Sequence, residues 1–345
     1  MKKSFYKILI AATLALTLCA CGNNSKNSAN SGAASDSKDN ALVLKIGHVE
    51  PEERSTHRAL LDFKKNVEKR TDGDIKVEIY PNGSLGGDVQ LTESVAMGSL
   101  DMALPSTSVL TAYADDFGIL DMPYLFKDNK AAFAAMDGEV GKYFTDKLQE
   151  NGIKILGYSY NGPRSTTTNT GPIEKPEDLQ GVKMRVMESP IFIDFYKTLG
   201  ANPTPMAFTE LYTGLQQGTV DAQENPPSLT FANKFYEAQK YSSIDEHVYN
   251  FLAFIVNDNK FKSISEKDQK IIEEEATNYV KEQREMEIKD NEKAIKDLET
   301  IGKLQTNYLT PEQKAVFRKA LQPMYDKYEK QFGQDLFNKC EQYNK

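Results

Sequence analysis

The sequence predicts an α/β fold with two lobes, on the basis of three observations. From residue 41 the chain opens with a strand, a helix and a second strand, the order typical of α/β proteins. A helix that ends in glycine and leads into a short strand occurs twice, at Gly98–Asp101 and Gly218–Asp221. Residues 265–300 contain no glycine or proline and are rich in helix formers, which predicts one long helix or two abutting helices.

The N-terminal segment, residues 1–20, predicts an export signal rather than part of the fold. It begins with lysines, continues through an apolar stretch and ends in small residues. The apolar stretch Ile8–Leu18 is shorter than the roughly 20 residues that span a bilayer. Ala20 precedes Cys21 as in the lipobox of bacterial lipoproteins, so we expect Cys21 to carry a lipid, with a plain secretory signal as the alternative.

The next segment, residues 21–41, predicts a disordered tether. It is rich in Ser, Asn, Gly and Asp and has too few apolar residues to bury a core. Past Cys21 the only cysteine is Cys340, so we expect no intramolecular disulfide.

The composition is that of a soluble globular protein. Of the 345 residues 39% are hydrophobic and 27% are charged, which is enough apolar material for a core. The formal net charge of −8 becomes more negative if the lysine-bearing signal is removed. Such an acidic balance argues against nucleic acid as a partner.

The elements of the first half follow from local patterns. The segments 41–49 and 74–80 read as strands, and Ser55 or Thr56 is a candidate N-cap for the helix between them. A turn cluster, "PNGSLGGD", then precedes a helix that ends at Gly98. Near the C-terminus, "LTPEQKAVF" predicts a helix that begins at Pro311. The dense charges of the long helical segment indicate a solvated face, so we interpret them as structural.

The usual catalytic and metal-binding motifs are missing from the sequence. There is no G-x-S-x-G, H-E-x-x-H, paired C-x-x-C, or phosphate- or dinucleotide-binding glycine pattern. The only histidines are His48, His57 and His247, which gives a zinc site little support. We therefore expect no enzyme activity, metal or cofactor.

Two arginines and an amide instead stand at predicted strand ends. A strand runs into a turn at Gly162 and Pro163, which places Arg164 at a connection. Arg185 lies in an apolar strand followed by a helix start at Ser189, where helix N-termini favour anions.

These groups suit a carboxylate ligand. Asn225 follows another short strand and precedes two prolines, and a guanidinium fork matches a carboxylate in a bidentate way. The alternatives are a surface arginine for Arg164 and an internal salt bridge with Glu188 or another acid for Arg185.

Four segments carry a resemblance to a known family. They are "YPNGSLGGD", "YNGPRSTTTN", "GVKMRVMESP" and "ANPTPMAFTELYTGLQQGTVDAQENP", and the likeness runs from about Leu44 to the C-terminus. Together they resemble the extracytoplasmic solute-binding subunits of TRAP transporters, the family of C4-dicarboxylate and sialic acid binding proteins. The resemblance implies a periplasmic-binding-protein-like fold, with an organic acid held in a cleft between two α/β lobes that a long helix braces.

The resemblance also implies roles for individual residues. The arginine of "KMRV" clamps the carboxylate, the arginine of "NGPR" and the asparagine of "QENP" assist it, and the phenylalanine of "PMAF" packs on the ligand. The loop after the first strand and the turn "GGD" supply contacts from the other lobe. These residues are Arg185, Arg164, Asn225, Phe208, Glu50 and Asp88.

The resemblance also implies lobe boundaries and a partner. We expect lobe I to comprise residues 42–162 with about 251–290, and lobe II to comprise residues 163–250 with about 291–345. The loaded protein would dock on a membrane permease while lipid-anchored at the outer face of the cytoplasmic membrane, or free in the periplasm.

The expected ligand is a hydroxylated monocarboxylate such as a uronic or aldonic acid. Sialic acid binders have a glutamate after the third strand, where this chain has Ser106, which disfavours sialic acid. Glu50 would repel a second carboxylate but can accept hydrogen bonds from hydroxyls. A C4-dicarboxylate or keto acid is the alternative, and an exported sugar-acid enzyme is a further one.

Overall fold

The computed structural model describes residues 41–345. The predicted signal peptide, the predicted lipidation site Cys21 and, apart from Ala41, the predicted tether lie outside the described residues. Within residues 41–345, no helix is both long and apolar enough to cross a membrane.

The described chain contains both strands and helices, which alternate in the two parallel groups, while elsewhere two or three helices follow one another. The strands are β1 (Leu42–Gly47), β2 (Ile75–Tyr80), β3 (Met102–Ala103), β4 (Ile153–Thr168), β5 (Lys183–Val186), β6 (Asn202–Pro205), β7 (Ala222–Asn225), β8 (Tyr241–Asn257) and β9 (Gln305–Tyr308). The helices are α1 (Ser55–Arg70), α2 (Asp88–Ala96), α3 (Asn129–Asp137), α4 (Glu139–Gln149), α5 (Pro190–Thr198), α6 (Leu211–Gln216), α7 (Pro227–Ala232), α8 (Asp258–Lys262), α9 (Glu266–Thr300), α10 (Pro311–Ala320), α11 (Gln322–Phe332) and α12 (Gln334–Glu341).

Two groups of parallel strands flank a pair of long antiparallel strands. The strand order is β2-β1-β3-β8-β4-β7-β5-β6, and β9 also pairs with β8. In one group β1 is parallel to β2 and β3, and in the other β5 is parallel to β6 and β7. The long strands β4 and β8 pair with each other and join the two groups. The α/β prediction is confirmed, with hydrogen bonding continuous from one group to the other.

The long strands contain irregularities that the sequence reading missed. Their register shifts between Ile155 and Gly157, between Tyr160 and Gly162, and between Arg164 and Thr166. Gly162 has φ of +128°, and β4 continues beyond it to Thr168. The predicted turn at this glycine is therefore wrong, because β-bulges absorb the irregular residues without ending the strand.

Apolar clusters hold the helices against the sheet. One cluster packs α1 and α9 on the first group of strands, where the rings of Phe63 and Phe254 lie 5.1 Å apart in an edge-to-face arrangement. A small cluster around Leu211 and Phe235 lies under α6. The largest cluster covers β4, β8 and the helices α3–α5 and α10–α12. Each group of strands thus has its own apolar support.

The long helix α9 is continuous and also contributes polar groups to the interior. Its 35 residues confirm the prediction of a single long helix. Its charges are not all on a solvated face, however, since Gln283, Arg284 and Glu287 are buried. Helix α1 begins where expected, but its N-cap is Arg54, and the Oγ of Ser55 donates to Glu287 instead of capping the helix. Tertiary hydrogen bonds thus replace the predicted cap.

Candidate functional site

The guanidinium of Arg185 lies inside the protein and has no acidic partner in the described chain. Arg185 is 2% exposed, and its Nε and Nη2 both donate to the carbonyl oxygen of Met206, at 3.0 and 2.7 Å. Its Nη1 is buried without a hydrogen-bond partner among residues 41–345. Glu188 is exposed and forms no ion pair with Arg185, so the predicted internal salt bridge is wrong.

The electrostatic setting of Arg185 reflects this lack of a direct partner. Burial lowers the pKa of Arg185 to about 10, and the more distant carboxylates of Glu224, Asp88 and Glu188 oppose the shift. A buried cation whose hydrogen-bonding capacity is not satisfied is unfavourable unless an anion approaches it. Strand β5 leads directly into α5, whose N-terminus provides further favourable potential for an anion.

Arg164 is also buried, but its Nε and Nη2 are engaged with an acid, while its Nη1 has no hydrogen-bond partner in the described chain. Its side chain is 0% exposed, and Nη2 donates to the Oε1 of Glu224 at 2.8 Å, while Nε donates to the Oε2. Nη2 also donates to the Oδ1 of Asn225 at 2.9 Å. Both expectations for Arg164, a connection between elements and a surface position, are wrong because the residue lies within β4, which packs between β7 and β8.

The carboxylate of Glu224 has a second basic partner, His247. The Nε2 of His247 lies 3.2 Å from the Oε2 of Glu224, and its Nδ1 lies 3.0 Å from the Oδ1 of Asp245. Burial alone would raise the pKa of Glu224, but Arg164 and His247 lower it to about 2. Burial lowers the pKa of His247, but Asp245 and Glu224 outweigh burial and raise it to about 9. These groups form a charged layer of the interior next to the two arginines.

Asn225 and Phe208 both lie on the second group of strands or directly after it. Asn225 is the last residue of β7 and is 2% exposed; its Nδ2 donates to the Oε1 of Gln223 at 2.6 Å. Phe208 is half-buried just after β6, with its ring 5.8 Å from that of Phe235. The amide is thus held by β4 and β7, and the aromatic ring lies in the same short segment as the Met206 carbonyl that binds Arg185.

Two acids from the first group of strands face this region. Asp88 begins α2, is 8% exposed and has a buried Oδ1 without a hydrogen-bond partner in the described chain. Burial and the charge of Glu50 raise the pKa of Asp88 to about 7, while Arg185 opposes the shift. Glu50 follows β1, is 2% exposed and accepts hydrogen bonds from Arg54. Arg185 and Asp88, from opposite strand groups, are therefore close enough for their charges to interact.

The turn before α2 touches the segment that follows β6. Gly83 has φ of +63°, and a Cβ atom added there would lie 2.5 Å from the Cγ2 of Thr209. A Cβ at Gly87 would lie 3.6 Å from the Cβ of Ala207. The turn before α2 and the segment after β6 are thus in contact, which agrees with the burial of Arg185 and Asp88.

Several site residues were not singled out by the sequence analysis. Glu224 and Asp245 are acids on strands β7 and β8, and Arg54 precedes α1. An acid inside a short buried strand signals a cationic partner, so Glu224 could have been paired with one of the two arginines. In the same way, Asp245 and His247 stand two positions apart on β8 and could have been recognised as a polar pair.

Comparisons with known proteins identify the family. The profile of bacterial extracellular solute-binding protein family 7 matches residues 46–331. The chain belongs to this family. Its members include the solute-binding proteins of TRAP transporters, which confirms the resemblance read from the sequence and the extracytoplasmic character of the protein.

Individual family members support the same assignment. The chain is 34% identical over 265 residues to the 2,3-diketo-L-gulonate-binding periplasmic protein YiaO of Escherichia coli, covering 76% of this chain and 80% of the relative. The sugar acid binding protein DctPAm of Advenella mimigardefordensis, solved in complex with galactonate, has a TM-score of 0.85 and 32% identity, with 88% of this chain and 98% of that chain covered.

A third family member was solved with a different class of acid. A TRAP periplasmic solute-binding protein of Shewanella oneidensis, with bound succinate, has a TM-score of 0.86 and 28% identity. The comparison covers 88% of this chain and 100% of that chain. The family fold therefore accommodates both a sugar acid and a dicarboxylate.

Proposed function

We propose that this chain captures a small organic acid through its carboxylate and delivers it to a TRAP membrane permease. The observation that carries the proposal is the buried guanidinium of Arg185, whose Nη1 has no partner in the described chain and whose other donors bind only the Met206 carbonyl. A carboxylate ligand supplies the missing counter-charge and accepts from Nη1. The ligand thereby removes the penalty of an uncompensated buried cation.

We assign supporting roles in carboxylate binding to the residues that neighbour Arg185. Arg164 also has a buried Nη1 without a partner in residues 41–345, while its remaining donors are fixed by Glu224 and Asn225. It therefore presents one preorganised donor toward the same carboxylate. Phe208 supplies apolar contact, and Asn225 holds Arg164 in place through its Oδ1.

The acidic side of the site favours hydroxyl groups on the ligand. Glu50 and Asp88 are buried carboxyl groups, and ionised carboxylates accept hydrogen bonds but repel another anion. A polyhydroxylated monocarboxylate presents donors to them, whereas a dicarboxylate places a second negative charge nearby. We therefore propose a uronic or aldonic sugar acid, in keeping with the galactonate bound by one structural relative.

A C4-dicarboxylate or keto acid is the second candidate. It is favoured by the structural relative with bound succinate and by the raised pKa of Asp88, about 7, which lets this group be neutral near physiological pH. A neutral Asp88 donates a hydrogen bond to a second carboxylate instead of repelling it. The distinction therefore depends on Glu50 more than on Asp88.

The free energy of ligand binding requires more contacts than Arg185 alone provides. Micromolar to nanomolar binding corresponds to about −8 to −12 kcal/mol. A charge-assisted hydrogen bond contributes roughly 1.5 to 3 kcal/mol, so the clamp alone is insufficient. Contact between the turn at Gly83 and the segment at Thr209 lets the first group of strands add its polar contacts by closing over the bound acid.

A thermal-shift screen tests the proposed ligand class. The purified mature protein is heated with D-galactonate, D-glucuronate, succinate and pyruvate at equal concentrations. A ligand at 100 times its Kd stabilises the folded state by about 2.7 kcal/mol and raises the Tm. Sugar acids should raise the Tm more than succinate does. A larger shift with succinate would favour the dicarboxylate alternative, and no shift with any acid would contradict the solute-binding proposal.

Two further experiments test the anchor and the absence of catalysis. The lipid anchor at Cys21 lies outside the described residues and remains a proposal; Cys21→Ser should abolish labelling of the protein by radioactive palmitate and release it from the membrane fraction. Incubation of the protein with a bound acid, followed by NMR of that acid, should show no conversion. Steady turnover would support the enzyme alternative.

A further inference from the structure

Arg54 differs from the two site arginines because all its donor nitrogens have protein partners. It is 2% exposed, and Nε and Nη2 donate to the two carboxylate oxygens of Glu50, each at 3.3 Å. Nη2 also donates to the carbonyl oxygen of Asn161 at 3.0 Å. Nη1 donates to Glu287 at 2.8 Å and to the hydroxyl of Ser228. Arg54 therefore has no donor left for a ligand.

The partners of Arg54 come from four separate parts of the fold. Glu50 belongs to the loop after β1, Asn161 to β4, Ser228 to α7 and Glu287 to α9. Glu287 is itself held by the hydroxyls of Ser55 and Ser228. Glu50 lies only four residues before Arg54, but Asn161, Ser228 and Glu287 are more than 100 positions away, so the folded structure fixes the position of the guanidinium.

Glu50 depends on this fixed guanidinium. In the described chain its carboxylate accepts hydrogen bonds from no side chain other than Arg54. The 3.3 Å distances are longer than the roughly 2.7 to 2.9 Å of a tight charge-assisted hydrogen bond, so both oxygens keep accepting capacity for another donor. Without Arg54 the buried carboxylate would lack a counter-charge and a defined orientation.

We propose that Arg54 is a positioning residue that holds the Glu50 carboxylate as an acceptor for ligand hydroxyls, and so sets the preference for polyhydroxylated acids. The inference rests on the proposed function, because it assigns Glu50 to the ligand. It adds that specificity is set by a residue that does not itself touch the ligand. Arg185 would bind the carboxylate common to all candidate acids, and Arg54 would act only on the polyhydroxylated end.

The second acid bound to Arg54 serves a different purpose. Burial raises the pKa of Glu287 to about 7, and Arg54 opposes the shift. Glu287 accepts from Nη1 at 2.8 Å, whereas Glu50 accepts from Nε and Nη2 at 3.3 Å, so Glu287 is the tighter of the two acidic anchors of the guanidinium.

The test compares two acids of four carbons. D-Erythronate and 2-hydroxybutanoate share the carboxylate and the 2-hydroxyl, and differ in the hydroxyls at carbons 3 and 4. Isothermal titration calorimetry gives the ratio of their Kd values for the wild type and for Arg54→Lys, which keeps the charge but loses the fork. We expect this preference ratio to fall at least fivefold in Arg54→Lys, mainly through weaker erythronate binding.

Matched variants separate positioning from general structural damage. Arg58→Lys is the control, because Arg58 lies one turn later and pairs with Asp290 of the same helix α9 at the exposed surface. It should retain the wild-type ratio. Glu50→Gln should lose the preference to the same extent as Arg54→Lys, and the double variant should lose no more, since both substitutions remove one interaction. Glu50→Gln also provides the readout if Arg54→Lys fails to fold.

The possible outcomes are distinguishable. If Arg54→Lys weakens the binding of both acids equally, or leaves the ratio of their Kd values unchanged, Arg54 is not a positioning residue. The proposed solute-binding function would still stand. If Arg54→Lys does not fold, a wild-type ratio in Glu50→Gln overturns the inference and a lost preference supports it. If the wild type binds succinate more tightly than erythronate, the proposed recognition of hydroxyls is contradicted, while the proposed solute-binding function is not. Absence of binding by every acid overturns the proposed function, and the inference with it.

Discussion

The substitution Arg185→Lys should weaken ligand binding without unfolding the protein. The Nε and Nη2 of Arg185 donate to the Met206 carbonyl, and Nη1 remains available to a ligand. Only a planar guanidinium can donate to both partners at once in this geometry. A lysine ammonium cannot bind Met206 in this way and also reach the ligand in the same geometry. Loss of one charge-assisted hydrogen bond, about 1.5 to 3 kcal/mol, predicts an increase in Kd of roughly 10- to 150-fold.

Titration calorimetry with the best acid from the thermal-shift screen measures this change, and circular dichroism verifies the fold. Arg70→Lys is the control, because Arg70 is exposed and pairs with Glu274 and Glu275 of α9, away from the site. Its Kd should equal that of the wild type. A Kd for Arg185→Lys within twofold of the wild type would refute the clamp. The ligand-free stability of Arg185→Met should equal or exceed that of the wild type, since a buried charge without an ion-pair partner is removed.

Three other substitutions test the surroundings of the clamp. Arg164→Met should lower the unfolding free energy by about 3 to 5 kcal/mol in urea titrations, because it strips a buried carboxylate of its main partner; an unchanged midpoint would contradict this. Gly83→Val should weaken ligand binding at least tenfold, because the new side chain would collide with Thr209. Gly73→Val is the control: Gly73 also has a positive φ but faces open space, so the substitution should strain the backbone without changing the Kd. Folding raises the pKa of His247 to about 9, so protonated His247 stabilises the folded protein fully below about pH 6.5, and this stabilisation is lost as the pH rises through 9. His247→Gln should remove this pH dependence, which amounts to up to about 3 kcal/mol of unfolding free energy. The Tm of the ligand-free protein, measured as a function of pH, tests the prediction.

Local elements were predictable because short-range periodicity encodes them. The strands β1 and β2 and the start of α10 lie where the alternation of side chains and the capping signals put them. The observed α10 has the hydroxyl of Thr310 accepting from the backbone N–H of Gln313, as a capping box requires. Each of these signals lies within a few consecutive residues and does not depend on tertiary contacts.

The interior of the site was less predictable because it depends on pairings across the chain. Arg164 is separated from Glu224 by 60 positions, and Arg54 from Glu287 by 233. The bulges that keep Arg164 inside β4 arise from the pairing with β8, and a local glycine and proline cannot reveal them. The sequence therefore indicated which residue types the site contains, while their partners required the fold.

The long strand β8, which follows both groups of parallel strands in sequence, is needed to complete the sheet. Within residues 41–345, the first group, β1 to β3, reaches the rest of the sheet only through β8, which begins at Tyr241. A fragment that ends before this residue would expose the free edges of β3 and β4 and invite aggregation. The first group also packs against α9, which lies after the second group in sequence, so exchanging the first group together with its packing partner would require at least two separate segments. New ligand preferences are therefore reached more readily by point substitutions around the site than by exchange of whole segments.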